Sequence, residues 1–145
     1  YVMLLHDIGK PATYIVREKN GKLIDSFFYH NLESEKIAGR VLNQFDFDKN
    51  EILIMQKLIK KHDVFMFIKD FKTNNPHWRT LSDKVVLDEI NDLNQVGNGF
   101  ELIQYLIYVG RADSRAQNPK LAGESLRMLD KFEKIYLDLK QKNNV

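Results

Sequence analysis

Apolar residues recur at spacings of three and four through most of this 145-residue chain, and one such stripe ends on an acid. Ile103, Leu106, Ile107, Gly110 and Asp113 share one face of a predicted helix that starts near Phe100, after the break at Gly97-Asn98-Gly99. A carboxylate on a face that otherwise enters the core calls for a metal ion, a cation or an opening to water, because an unpaired buried charge is expensive. Arg111, Arg115 or Lys10 can supply the cation. Arg111 and Arg115, like Lys36 and Arg40, otherwise read as surface charges, with Arg111 and Arg115 near enough in sequence to share a wide cleft with Asp113.

The same periodicity predicts five more helical segments. Val2, Leu4 and Leu5 crowd a buried helix end over residues 1–8, and Asn31 is the expected N-cap of a helix through Phe45 with Leu32, Ala38, Val41, Leu42 and Phe45 inward. Asp48 or Asn50 caps the next, in which Ile52, Met55, Ile59 and His62 fall on the apolar side. Ser82 caps a helix that buries Val85, Val86 and Ile90, and Pro119 starts a last one with Leu121, Met128, Leu129, Phe132, Ile135 and Leu139 inward. Only residues 13–17 and 23–29 break the pattern: β-branched and aromatic runs flank Asn20-Gly21, the signal for a tight hairpin turn. Residues 69–79, polar and carrying Pro76, read as a long loop in which His77 and Trp78 have no assigned role.

The chain is too short for two ordinary domains, so one domain over residues 1–145 is expected. It has no cysteine, which excludes disulfides and thiolate metal sites and suits a reducing, cytoplasmic location. With 43% apolar and 29% charged residues and no apolar run of membrane-spanning length, the membrane reading falls away. A net charge of +2 without a basic stripe gives no case for an RNA-binding face. The chain opens at Tyr1 with no signal-peptide pattern, so it reads as a domain excised from, or truncated within, a longer protein with a possible upstream domain.

His6 and Asp7 are a neutral imidazole and a carboxylate side by side, a pair suited to a divalent ion, with Mg, Mn, Ni, Co, Fe and Zn not told apart by ligand type. Gly9 permits a sharp exit, and Pro11 disfavours a helical Lys10, so the helix is expected to end with Lys10 aimed back across the site as a phosphate-binding cation.

His6-Asp7-Ile8-Gly9-Lys10-Pro11, Phe28-Tyr29-His30, Leu58-Ile59-Lys60-Lys61-His62 and Gly110-Arg111-Ala112-Asp113 follow one another in an order that resembles the HD-domain metal-dependent phosphohydrolases. The nearest look-alike is the HD domain associated with bacterial tRNA nucleotidyltransferases and poly(A)-polymerase-like proteins. The resemblance implies an all-α HD-domain helical bundle with a small β-hairpin insertion after the His-Asp motif. It makes His6, Asp7 and Asp113 metal ligands, His30 and His62 further metal or phosphate contacts, and Asp7, Asp113 and Lys10 the catalytic set. The implied activity is phosphomonoester or phosphodiester hydrolysis on a nucleotide, a cyclic phosphate or an RNA end, assisted by a divalent metal ion. The family's usual histidine from a helix before the pair has no counterpart after Tyr1, and Lys61-His62 stands where many members carry two histidines. The alternative is accordingly a non-catalytic structural or nucleotide-sensing module of a larger RNA-processing protein.

Overall fold

Helices dominate, as the periodicity requires, with one two-stranded hairpin and one two-residue strand pairing. A computed structural model describes residues 1–117 and 119–143, without the side chains of Lys120 and Leu121; the expected inward position of Leu121 therefore lies outside the described residues. The chain divides into two units, Tyr1–Lys61 and His62–Val145.

The first unit comprises α1 (Val2–Leu5), α2 (Lys10–Thr13), β1 (Tyr14–Lys19), β2 (Lys22–Phe27), α3 (His30–Leu42) and α4 (Lys49–Lys61). Its core is Leu5, Ala38, Leu42, Ile52 and Ile59, with Val2, Ile8, Val41, Phe47 and Met55 packed around them. Asp48 rather than Asn50 caps α4. Its carboxylate accepts from the backbone N–H of Asn50 and Glu51 at 2.8 and 2.9 Å, while Glu51 accepts from the Asp48 N–H at 2.9 Å. Asn20 and Gly21 both take positive φ, 52° and 74°, and join β1 to β2 in the register Lys19↔Lys22 through Tyr14↔Phe27.

Three expectations are corrected in this unit. The first helix stops at Leu5, and Lys10 opens a new short helix with Gly9 before it and Pro11 in its first turn, where the missing proline N–H has no partner to lose. The third helix begins at His30, after a left-handed Tyr29, so Asn31 lies inside it; the Asn31 amide instead donates to the Lys60 carbonyl at 2.8 Å. That helix ends at Leu42, leaving Phe45 exposed beside Tyr1 and Phe47, and Leu32 is exposed as well.

The second unit holds a short 3-10 turn (Val64–Phe67), β3 (Ile68–Lys69), β4 (Arg79–Thr80), α5 (Asp83–Leu93), α6 (Gly99–Ala116) and α7 (Pro119–Lys142). Ser82 and Asn98 cap α5 and α6 by accepting from Val85 N at 3.3 Å and Phe100 N at 3.1 Å. α6 packs against both α5 and α7, and Val86, Leu93, Ile103, Leu106, Ile107 and Phe132 are among the side chains with no exposed surface. Tyr136, beside the half-buried Ile135, is fully buried and donates its hydroxyl to the Phe100 carbonyl at 3.0 Å. Gly110 lets Phe65 against α6: a Cβ there would stand 2.8 Å from the Phe65 ring and 3.2 Å from Leu129.

The expected loop over 69–79 is shorter, because its ends pair in parallel, Ile68 with Arg79 and Lys69 with Thr80. Arg79 also reaches the buried Glu89 of α5 at 2.5 Å. Among the described residues, no helix is long and apolar enough to cross a membrane.

Candidate metal centre

In the first unit four predicted residues meet around one carboxylate. His6 is the C-cap of α1, Asp7 follows in the turn, Lys10 starts α2 and His30 starts α3. Gly9 is what lets α3 come so close. Its N–H donates to Ser34 Oγ at 2.9 Å, and a Cβ at Gly9 would lie 2.5 Å from both the His30 carbonyl oxygen and the Ser34 nitrogen. No side chain fits there, so the turn carrying Asp7 and the helix end carrying His30 meet backbone to backbone.

Both imidazoles are fixed in the same way. Nδ1 of His6 lies 2.9 Å from the Met3 carbonyl oxygen and Nδ1 of His30 lies 2.9 Å from that of Phe27, so each Nδ1–H donates to backbone. Nε2 of each ring is thereby turned to Asp7, 3.4 Å from Oδ2 for His6 and 3.3 Å from Oδ1 for His30. Histidines that bind metals through Nε2 are oriented in just this manner by a carbonyl on the other nitrogen. The Lys10 ammonium donates to Oδ2 at 2.5 Å. The two imidazoles are largely buried, at 12% and 15% side-chain exposure, while Asp7 and Lys10 remain open at 34% and 38%, so the carboxylate is the face a small ligand meets.

Burial would raise the Asp7 carboxyl, but it is outweighed by hydrogen bonds from His30 and Lys10 and by the charges of His6 and Lys10, which hold the group well below the usual carboxylate range. It is ionised at any ordinary pH. One ligand atom of His6 and one of Asp7 lie within 4.8 Å of each other, close enough to share an ion, whereas the two imidazoles approach different oxygens of the carboxylate.

In the second unit His62, next in sequence after α4, is 3% exposed. It and Asp113 line a common cavity of about 30 Å³ with Asp63, Phe65, Gly110 and Ser114, the volume of one water molecule. Asp113 is half-buried, as its place on the apolar stripe implies, and accepts a hydrogen bond from the Gln117 amide at 3.1 Å.

The expectation that Arg111 is a surface charge facing the same cleft is corrected. Arg111 donates to Asp130 at 2.7 Å and Glu133 at 2.5 Å on α7. Those bonds, Asp130's first, raise its pKa against the opposing effect of burial. Residues two apart on a helix point to nearly opposite sides, which is why Arg111 turns to α7 and Asp113 does not. Gln117 had no signal beyond its spacing of four from Asp113, and the Arg79–Glu89 pair had none at all. A scan against models of known protein families, a search of the curated proteins and a search of the solved structures each gave no match.

Proposed function

We propose that this chain is a metal-dependent phosphohydrolase of the HD-domain kind, acting on the phosphomonoester or phosphodiester of a nucleotide, a cyclic phosphate or an RNA end. The observation that carries the reading is the pair of carbonyl-oriented imidazoles whose Nε2 atoms flank the two oxygens of Asp7. His6 and Asp7 are the residues that would hold the ion, with His30 beside them on the other carboxylate oxygen as a further metal or phosphate contact. His62 and Asp113 enter on the family resemblance alone. A divalent ion bound in such a site supplies Lewis acidity and makes water a usable nucleophile near neutral pH.

The protein groups do the rest. His6 and His30 keep Nε2 aimed by giving Nδ1–H to backbone, and Asp7 stays ionised. Lys10, seated on Oδ2, is a mobile cation that exchanges this carboxylate for a phosphoryl oxygen and neutralises its charge. The orienting of the attacking water falls to Asp113 on the family resemblance alone.

The test is hydrolysis of a generic phosphodiester and of 2′,3′-cyclic nucleotides with Mn, Ni or Co added. Asp7→Ala and Asp113→Ala are each expected to lose at least about a hundredfold, since even groups that only orient ligands are worth ten- to hundredfold. Parent-like turnover in both variants would refute the assignment. A second reading, a non-catalytic structural or nucleotide-sensing module, is favoured by the Lys10 ammonium, which already neutralises Asp7. Retention of full stability with no metal uptake and no hydrolysis is its expected signature.

A further inference from the structure

The second unit also holds a much larger cavity, of about 460 Å³, within the roughly 300–1,000 Å³ of small-ligand pockets. Its floor is apolar and nearly closed to solvent: Ile68 is 1%, Phe65 8% and Met128 9% exposed. Phe71, half-exposed, forms a side wall and meets Trp78 edge-on at 6.4 Å between ring centres. Two neutral polar side chains, Gln117 and Ser125, line it as well. Its charged walls are balanced, Lys69 and Arg127 against Asp70 and Glu124, and Asp70 is already bonded by Lys131. A balanced rim does not select an anion. An aromatic and thioether floor with a few neutral hydrogen-bonding groups selects a flat, uncharged ring.

Gln117 links this cavity to the small one, since both share Phe65, Met66, Gln117 and Ser125 as walls. Its amide nitrogen donates to Asp113 Oδ2 at 3.1 Å. An ionised carboxylate only accepts, so that bond fixes which end of the amide faces Asp113 and leaves the amide oxygen as an acceptor for a ligand. We infer that the large cavity binds the base of a nucleoside, and that Gln117 favours bases with an exocyclic amino group, as in cytidine and adenosine. The inference rests on the phosphohydrolase reading for the class of its ligand, a nucleoside.

Trp78 is the only tryptophan of the chain and touches two walls of the cavity, with the Lys69 ammonium 4.7 Å from its ring centre. Its fluorescence is therefore the readout for titration of the full chain with cytidine, adenosine or uridine, with no metal and no phosphate present. Saturable binding is expected for cytidine and adenosine and about tenfold weaker for uridine, the worth of one hydrogen bond. Gln117→Met, at an exposed position that leaves the fold intact by circular dichroism, is expected to bind all three alike. No saturable response to any nucleoside overturns the inference, as does competition by inorganic phosphate or an unchanged preference in Gln117→Met. Nucleoside binding without metal-stimulated hydrolysis upholds the pocket and sinks the enzyme reading; hydrolysis without nucleoside binding does the reverse.

Discussion

Asp7 and Asp113, one acid in each unit, are positioned by different kinds of local structure. Asp7 sits in a turn between two very short helices and is surrounded by charge: a lysine three residues on, its neighbouring histidine, and His30. Asp113 lies on the 18-residue α6 and receives a neutral amide from the next turn of its own helix. The first is held by long-range backbone packing at Gly9, the second by regular helix geometry. A site built on short turns needs tertiary contacts to fix its side chains, whereas a long helix fixes them through its own repeat.

Paired substitutions break that comparison at its strongest point. Gly9→Ala drives a methyl into the backbone of His30 and Ser34, which cannot rotate away, while Gly110→Ala meets the Phe65 ring, which can shift slightly. Both are expected to destabilise by about 1–3 kcal/mol, Gly9→Ala at the upper end, measured as a fall in the urea midpoint with unchanged slope. An equal or smaller effect at Gly9 would show that its close approach to α3 carries no special weight.

Smaller effects sharpen the contrast between the acids. Asp7→Asn leaves three cationic or imidazole groups facing a neutral amide and is expected to cost about 1 kcal/mol, discounted for the third of its surface open to water. Asp113→Asn keeps the Gln117 partner within reach and is expected to stay within about 0.5 kcal/mol of the parent. Chemical denaturation at neutral pH measures both.

The pH dependence gives the smallest and most specific signal. Asp7 has its carboxyl lowered from 3.8 on folding, so the native state binds fewer protons than the unfolded chain in the acid range. Its contribution is complete above that unfolded value and is lost as the pH falls toward the lowered one. The stability difference between the parent and Asp7→Asn is therefore expected to narrow from about pH 5 to about pH 2. A difference that is flat across this range would contradict the charge network around Asp7.

Much of this was legible in the sequence. Asn20-Gly21 predicted the hairpin, Ser82 a helix start and Asp48 or Asn50 another, and the stripe from Ile103 placed Asp113 on the core-facing side, where it is half-buried. Asn31, Leu32 and Phe45 misled because helix spacing alone does not say where a helix stops or which turn meets a neighbour. Lys69 with Thr80 and Arg79 with Glu89 were invisible, being contacts too short or too isolated to leave a period.

By itself, then, the chain's order of residues determined which segments are helical, the hairpin and the caps at Ser82 and ahead of α4, because propensity, turn chemistry and capping act within about four residues. Only the tertiary structure decided that His30 meets Asp7 and that Gln117 joins two cavities. Those outcomes turn on close approaches such as Gly9 against Ser34, whose energy exists only once distant segments are in contact.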